Sequence, residues 1–422
     1  MGEKKLNRRS FVRGAAAVGT AAALGALVYA RRSLAQLVQG NPADIDRAVR
    51  DHKEGLISDV DAQATVAAYM TAAPGPPRVV HVHDPGATSW DFGSQYYGHY
   101  VDQGAVDSMV DQGVMALTGT AAVATAWSRL VPDYQAGKAI AVKVNFNNCW
   151  VCSPTHLNLN NTIHTINAIV RGLKMAYSDL DESDVWVYEA AQVPVYEWGR
   201  REIASRFVDG CLYPGVRFFD YSCNDAAEYD NTDPTSLIDW NPPSGTPDPP
   251  TTRLTDVLVG ATYLIDIPLM KRHWSAGITG ALKNHMGSIA DPWELHPWMY
   301  PSGQYYQGTT WNPIVDIWRN THIADKTRLI LLDGLFGNWE CNNSKAKPWS
   351  TFGNSAPDSL FLATDPVAID SVMADFLDAE NPLSSTARDV LVYADHAGLG
   401  VHEEGDPWGS GYSLIDYVKI VL

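Results

Sequence analysis

Cationic side chains are scarce in this 422-residue chain, which has 31 Lys and Arg against 48 Asp and Glu and a formal net charge of −17. A protein this acidic repels nucleic acid and anionic membrane surfaces, so we expect neither as a partner. Beyond the N-terminal segment, no apolar run has the roughly 20 residues that a spanning helix needs. These features predict a globular protein with no membrane span in its mature part.

Several catalytic and cofactor signatures are missing from the sequence. It has no G-x-S-x-G, P-loop or G-x-G-x-x-G pattern, which argues against a simple hydrolase elbow, an NTPase and a dinucleotide site. It also lacks the C-x₂-C-x₂-C-x₃-C run of ferredoxin-type iron–sulfur clusters, and a single C-x-x-C cannot complete a zinc ribbon. The cofactor therefore stays unknown, with a divalent metal as the class left open.

The chain has five cysteines, an odd number that leaves at least one thiol unpaired or bound to a ligand. Cys149 and Cys152 form a C-x-x-C directly after a predicted strand. Such a pair is redox-active when a tight loop strains the bond and lowers the pKa of the first thiol. The alternatives are a static disulfide and two buried thiols.

The N-terminus has the pattern of an export signal. A twin-arginine pair, Arg8 and Arg9, precedes 16 weakly apolar residues at 14–29, a run too short for a typical spanning helix. Residues 33–35 (SLA) fit a small-x-small cleavage site. We therefore predict a cleaved signal peptide over 1–35, engagement of the twin-arginine (Tat) translocase, and a periplasmic or extracellular protein. An uncleaved membrane anchor is the alternative.

Short apolar segments alternate with amphipathic ones along the rest of the chain. This alternation predicts an α/β fold with a mostly parallel sheet and helices on both faces. We expect a helical or linker segment at 36–77 and one α/β domain at 78–422, with a long Pro/Gly-rich insertion at about 224–253. The predicted strands include 78–83, 139–145, 185–189, 216–220, 257–267 and 328–333, and the predicted helices include 162–177, capped by Asn161, and 413–421.

Ionisable residues at the ends of predicted strands are the candidate catalytic groups. Lys143 and Asn145 alternate with valines, so both point to one side of their strand. A lysine in a buried strand is costly unless it is paired or faces a pocket. Glu189 and Asp333 end two further strands. We predict that Lys143 with Glu189 or Asp333 transfers protons, and that Asn145 binds substrate.

The densest group of cationic and amide side chains lies between Pro268 and Ile289. Lys271 and His273 share one face of an extended segment, and Lys283 and Asn284 open or lie in a helix. A helix start offers free N–H groups to an anion. This pattern predicts an anion-binding crevice in which Lys271, Lys283 and Asn284 bind substrate and His273 takes part in positioning or catalysis.

Aromatic residues crowd the segment that follows, where Trp293 and Trp298 are candidates for binding substrate. An aromatic wall beside polar groups suits a glycan, an aromatic acid or another flat ligand, and the alternative is a hydrophobic plug that holds a long loop down.

His81 and His83 lie on one face of the first strand as an H-x-H. Two histidines so placed can chelate zinc or another transition metal, or can simply pack.

Five motifs in a fixed order resemble the DUF362 family. The motifs are AVKVN at 141–145, IPLMKRH at 267–273, GALKNHMG at 280–287, LDG at 332–334 and TDPVAID at 364–370. The resemblance extends over roughly 78–416 and implies an α/β fold. The family consists largely of uncharacterised proteins, some with iron–sulfur domains attached, and this chain lacks their ferredoxin-like cysteine motifs. The resemblance therefore implies no particular reaction.

The residues together favour an exported enzyme that acts on a small or oligomeric anionic substrate in a crevice lined by Lys, His and Asn. Lyase, isomerase and hydrolase chemistry all fit such a site. One alternative is a noncatalytic ligand-binding protein or a maturation factor for an exported cofactor enzyme. Another is a thiol-redox protein that uses the C-x-x-C.

Overall fold

The computed structural model describes three stretches of the chain, residues 75–192, 200–340 and 343–422. The predicted signal peptide at 1–35 lies outside the described residues, as does the linker segment up to residue 74. The chain divides into two compact units, and nearly all described residues belong to the one formed by 77–395 and 399–422. Across the described stretches, no helix combines the length and the apolar character needed to cross a membrane.

Within the described residues, eleven strands form a mixed sheet in which most neighbouring pairs are parallel. The order along the sheet is β11-β1-β10-β9-β6-β2-β3-β4-β5, with β7 beside β9 and β8 beside β7. The strands are β1 (Arg78–His83), β2 (Ile140–Lys143), β3 (Val185–Tyr188), β4 (Arg217–Asp220), β5 (Asp225–Ala226), β6 (Tyr263–Asp266), β7 (Leu269–His273), β8 (Gly277–Ile278), β9 (Thr327–Asn338), β10 (Ser359–Ala363) and β11 (Asp416–Val421).

Eleven α-helices accompany these strands in the same part of the chain. They are α1 (Gln103–Thr118), α2 (Val123–Leu130), α3 (Ile163–Ala176), α4 (Ser205–Val208), α5 (Asp256–Gly260), α6 (Gly280–Asn284), α7 (His296–Met299), α8 (Pro313–Arg319), α9 (Thr321–Ala324), α10 (Pro366–Glu380) and α11 (Asp389–His396).

Helices cover both faces of the sheet. Val80 and Val82 of β1 join the apolar core on the side where α1 packs. His81, which points the other way along the same strand, contacts Phe376 of α10 with ring centroids 5.2 Å apart. Because successive side chains of a strand point to opposite faces, α1 and α10 lie on opposite sides of the sheet. The predicted α/β architecture is therefore confirmed.

The strand order reverses direction at β2. From β2 the chain adds β3, β4 and β5 on one side, and β6 then pairs with the other side of β2. In open α/β sheets, ligands bind beyond the carboxyl ends of the strands at such a switch point. Here that point lies at Lys143 and Asp266, which are paired residues at the ends of β2 and β6.

Two predicted elements are wrong. The apolar run predicted as one strand over 257–267 contains helix α5, and β6 begins at Tyr263. A continuous apolar run has no periodicity that separates a buried helical turn from a buried strand. The segment predicted as a C-terminal helix over 413–421 contains strand β11, because its β-branched residues pair in parallel with β1.

Two other expectations concern loops. The predicted cap of α3 is wrong, because Thr162 occupies the N-cap position and the Asn161 side chain hydrogen-bonds elsewhere. The stretch at 224–253 has little regular structure, with a two-residue strand and a short 3-10 turn at Pro234–Ser236. That it is an insertion stays a prediction.

Candidate functional site

A buried ion pair joins two neighbouring strand ends. Lys143 ends β2 and Glu189 follows β3, so the parallel pairing of these strands places the Lys143 Nζ atom 3.1 Å from Oε2 of Glu189. The same oxygen accepts a hydrogen bond of 3.0 Å from the Phe146 backbone N–H. The second oxygen, Oε1, accepts no hydrogen bond from any described residue, although Glu189 is 3% exposed. One carboxylate oxygen is thus fixed and the other is available.

Gly287 leaves the space that this ion pair occupies. A Cβ atom at position 287 would lie 2.0 Å from Oε1 of Glu189 and 2.6 Å from Nζ of Lys143. Both distances are far below van der Waals contact, so any side chain here would displace the pair. The space taken up by the ion pair therefore explains why the last residue of the GALKNHMG motif is glycine.

A chain of hydrogen bonds crosses the carboxyl edge of the sheet through four buried side chains. Lys271 Nζ donates to Oδ1 of Asn145 at 2.9 Å, and Asn145 Nδ2 donates to Oδ1 of Asn284 at 3.0 Å. Asn284 Nδ2 in turn donates to Oδ1 of Asp266 at 2.6 Å. The chain connects β7, the loop after β2, α6 and β6, so it fixes the relative positions of four elements.

Asn161 and Asp333 hold Asn145, one member of this hydrogen-bond chain, in position. Asn161 accepts the backbone N–H of Asn145 at 2.6 Å and donates to Oδ2 of Asp333 at 3.0 Å. Burial raises the pKa of Asp333 to about 6, although the hydrogen bond from Asn161 opposes the shift. Asp333 is not one of the described residues that line the cavity below, so in this structure it positions Asn145 rather than facing a ligand.

The start of α6 is occupied by a carboxylate. Asp370 accepts the backbone N–H groups of Ala281 and Leu282 at 2.6 and 2.9 Å. Gly280, with φ of 54°, approaches Asp370 so closely that a Cβ atom would lie 2.3 Å from its Oδ1. The expectation that this helix start holds an anionic ligand is wrong, because Asp370 already fills it and Lys283 lies in the last turn.

A cavity of about 210 Å³ opens at the switch point of the sheet. Its lining divides into two groups of side chains. We call the first the polar group, and it consists of Asn145, Asn147, Glu189, Arg201, Lys283 and Asn284. We call the second the ring group, and it consists of His273, Trp274, Trp293, His296 and Tyr300.

Arg201 reaches the cavity because its backbone is bound to two strand ends. Its N–H donates to the carbonyl of Ala191 after β3, and its carbonyl accepts the N–H of Tyr221 after β4, at 3.1 and 3.3 Å. Its guanidinium donates to Oδ1 of Asn147 at 3.3 Å. These contacts hold a cation at the edge of the sheet.

Cationic groups outweigh acidic ones around the cavity. Burial lowers the pKa of the half-buried Lys283 to about 8, and repulsion by Arg201 adds to the shift. Burial likewise lowers the pKa of Lys271 to about 7, with Lys283 as the next cause. Burial raises the pKa of Asp266 to about 7. Because an anion would relieve the repulsion between these cations, the cavity favours a negatively charged ligand.

His273 lies in the cavity wall as a neutral ring. Burial and the nearby Lys283 hold the pKa of its imidazole well below the usual range. Its Nδ1 atom accepts the backbone N–H of Ala276 at 3.1 Å, so the proton of the neutral ring is on Nε2. His273 is therefore suited to donate a hydrogen bond.

The two tryptophans predicted to bind substrate have different surroundings. Trp293 belongs to the ring group and is 48% exposed. Trp298 is buried, lies outside the cavity lining, and donates its Nε1–H to the carbonyl of Pro247 at 2.9 Å. Trp298 thus matches the plug alternative, because it holds the irregular 224–253 stretch against α7.

Neither a bond within the C-x-x-C nor a pair of buried thiols is found. Cys152 forms a disulfide with Cys223, 71 residues away, whereas Cys149 is a buried free thiol. Burial raises the pKa of the Cys149 thiol to about 11, which makes it a weak nucleophile at neutral pH. The disulfide joins the loops after β2 and β4, and Cys341 lies outside the described residues.

His81 and His83 face the side of the sheet opposite to helix α1. His81 hydrogen-bonds through both ring nitrogens, to the hydroxyls of Tyr417 and Ser359 at 2.7 and 2.9 Å. His83 Nδ1 is 3.0 Å from the carbonyl of Pro357. With both His81 nitrogens hydrogen-bonded, the two histidines do not offer a pair of free ring nitrogens to a metal in this arrangement.

One further group has the composition of a metal site. Ligand atoms of Glu202, Asp220 and Cys223 lie within 4.8 Å of one another. The Cys223 sulfur is in the disulfide, and backbone N–H groups of Ile203, Cys223 and Asn224 donate to Asp220 at 2.8 to 3.0 Å. Ser222 donates its N–H and its hydroxyl to Glu202 at 3.0 and 2.8 Å, so both carboxylates have partners without a metal.

Arg201, Asp266 and Gly287 were not identified from the sequence. Asp266 ends a buried apolar strand, and this is the signal that identified Lys143 and Glu189. Arg201 follows no such pattern, since it stands in an irregular segment. Asp365 caps α10, with Pro366 at the first helical position, and accepts the N–H groups of Val367 and Ala368 at 2.9 Å.

A comparison with curated proteins finds no match to the chain. A comparison with protein families finds one over residues 219–375, to the family described as a domain of unknown function, DUF362. Four of the five motifs that resemble this family lie inside the matched residues, and the AVKVN motif with Lys143 precedes them. The chain therefore contains a DUF362 domain.

Proposed function

We propose that this protein is an enzyme that moves a proton on a small anionic substrate held in the cavity at the switch point of the sheet. The observation that supports this proposal most strongly is the Glu189 carboxylate. Its Oε1 atom is buried beside the cavity and accepts no hydrogen bond from the described residues. A buried carboxylate oxygen of this kind is costly unless a ligand or water completes it.

Side chains of the polar group would bind the anion. Lys283 and Arg201 provide positive charge, and the amides of Asn145 and Asn284 are already fixed by their own hydrogen bonds. Preorganised donors of this type stabilise negative charge without reorganisation. A carboxylate or phosphate held by Lys283 and Arg201 would lie within the same cavity as Glu189.

Two groups beside this position can take part in proton transfer. Glu189 is oriented by Lys143 and by the Phe146 N–H, so its free oxygen can accept a proton. Lys283, with a pKa lowered to about 8, can donate one. General acid–base catalysis works best with groups whose pKa values lie near the operating pH. This arrangement suits isomerase or lyase reactions that begin with removal of a C–H proton next to a carboxylate.

A noncatalytic binding protein is the second candidate. In such a protein Lys283 and Arg201 would hold the anion, and Glu189 would orient the ligand instead of accepting its proton.

We also propose export by the twin-arginine route, on the basis of residues 1–35. Replacement of Arg8 and Arg9 by Lys should leave precursor in the cytoplasm, and normal export of that variant would refute this part.

Hydrogen–deuterium exchange separates the enzyme from the binding protein without knowledge of the complete reaction. Small carboxylates that bind the purified protein, found by calorimetry, would be incubated with it in D₂O and followed by proton NMR. We expect a C–H signal next to the carboxylate to disappear with the wild-type protein and to persist with Glu189→Gln. Retained binding in Glu189→Gln would serve as the control for folding.

Two outcomes contradict the proposed chemistry. Exchange at the wild-type rate in Glu189→Gln would show that another group takes the proton. Absence of exchange in every carboxylate that binds would favour the binding protein.

A further inference from the structure

The ring group forms a continuous aromatic surface along the cavity. Ring centroids of Trp293 and His296 are 4.2 Å apart, and those of His296 and Tyr300 are 4.6 Å apart. The surface continues from Tyr300 to His273 at 5.4 Å and from His273 to Trp274 at 6.3 Å. Aromatic pairs at such distances stabilise one another and present flat faces to a ligand.

The two ends of this surface are open to solvent. Trp274 is 69% exposed and Trp293 is 48% exposed. Exposed indoles that line a cavity offer apolar surface that a ligand can cover. Each indole also packs against a ring of the same group, Trp274 against Tyr300 at 6.5 Å and Trp293 against His296.

The imidazoles in this surface are neutral. Burial and the charge of Lys283 hold the pKa of His273 well below its usual range and lower that of His296 to about 4. Neutral rings offer faces for stacking and do not compete with Lys283 for the anion. The influence of Lys283 on both rings also shows that the cationic end and the aromatic surface are close together.

The size of the cavity and its remaining lining restrict the ligand further. The cavity volume of about 210 Å³ is many times the roughly 10–15 Å³ needed to hold one water molecule, so a small-molecule ligand fits. Met286 and Pro292 add apolar surface to the lining beside the ring group, which suits an apolar ring.

We propose that the substrate class of this site is a monocyclic aromatic carboxylate in which a C–H carbon separates the ring from the carboxylate, with the carboxylate at Lys283 and Arg201 and the ring against the ring group. This inference rests on the proposed function, since it uses the same anion-binding end. It replaces the open choice between a glycan and an aromatic acid with one ligand chemistry.

Calorimetric titration of the purified full chain with three carboxylates tests the inference. Acetate supplies the anion alone, cyclohexanecarboxylate adds a nonaromatic ring, and benzoate adds a flat aromatic ring. We expect benzoate to bind tightest, with an advantage over cyclohexanecarboxylate of about two- to tenfold from ring stacking. Trp293→Leu should remove that advantage and leave acetate binding unchanged.

A matched variant controls for loss of an exposed tryptophan. Trp408 is 43% exposed, packs on Phe352 and Phe376, and does not line the cavity, so Trp408→Leu should bind all three carboxylates as the wild type does. Equal affinity for the three carboxylates, or an unchanged benzoate advantage in Trp293→Leu, would overturn the aromatic inference and leave the anion site intact. Failure of all three to bind would instead refute the proposed function.

Discussion

The buried ion pair between Lys143 and Glu189 gives the sharpest prediction for stability. The side chains are 0% and 4% exposed, so each charge depends mainly on its partner. Lys143→Met keeps most of the stem and removes the charge, which leaves the Glu189 carboxylate buried with the Phe146 N–H as a partner. Breaking a buried pair by removing one member costs about 3–5 kcal/mol.

A double variant that removes both charges distinguishes the effect of an unpaired charge from the effect of lost packing. Glu189→Gln retains the shape of the side chain and the acceptor for Phe146, so Lys143→Met/Glu189→Gln has no unpaired charge at this position. Because the double replacement removes both charges together, we expect it to be more stable than Lys143→Met by about 2 kcal/mol or more.

Urea denaturation at pH 7, followed by tryptophan fluorescence and far-ultraviolet circular dichroism, would measure these differences. Coincident transitions by the two probes are needed to treat unfolding as two-state. A loss below about 1 kcal/mol in Lys143→Met, or a double variant no more stable than that single variant, would mean that water reaches Glu189 and that the pair is not buried.

Three further predictions concern the surroundings of the site. Gly287→Ala places a methyl group against the ion pair and should lower the free energy of unfolding by about 1–3 kcal/mol, whereas Gly260→Ala, whose Cβ would meet Trp186 at an ordinary 3.4 Å, should cause no loss by urea denaturation. Cys223→Ser opens a loop of 71 residues and should cost about 4 kcal/mol in the chain-entropy account, while Cys211→Ser, which removes a half-buried free thiol, should cost far less. An equal cost for both would argue against the disulfide. Because burial raises the pKa of Asp266 to about 7, the folded protein holds a proton that the unfolded chain releases above pH 4. Its contribution to stability is therefore present at low pH and is lost as the pH rises from about 4 to 7, so Asp266→Asn should reduce that loss in thermal melts across the window, and an identical pH profile would contradict the assignment.

Much of the sheet could be predicted because its central strands are short apolar runs that end in a polar residue. Lys143 and Glu189 followed from this pattern, and the parallel pairing of β2 with β3 then brings them into contact. Asp266 has the same pattern, but it was hidden in a longer apolar run that includes α5. Local sequence therefore identified strand ends better than strand starts.

The remaining features depend on contacts between distant parts of the chain. The partner of Cys152 is Cys223 because the loops after β2 and β4 meet at one edge of the sheet, which spacing within the C-x-x-C does not show. The start of α6 is filled by Asp370 from another motif. β11 is a strand because β1, more than 300 residues earlier, offers a free edge. None of these partners leaves a signal in the adjacent sequence.

The central claim is that Lys283 makes the cavity a binding site for anions, and phosphate affinity tests it most directly. Phosphate has no ring, so its binding does not depend on the aromatic inference. Lys283→Met should weaken phosphate binding by about 2–5 kcal/mol, about 30-fold or more, if a charged contact within the cavity is lost. Lys138, a half-buried lysine outside the cavity lining, supplies the control variant Lys138→Met.

We would measure the dissociation constant of phosphate by calorimetry for the wild type and both variants at two salt concentrations. The account predicts a large loss in Lys283→Met, no change in Lys138→Met, and similar melting temperatures for all three proteins. A folded Lys283→Met variant that binds phosphate as tightly as the wild type would contradict it.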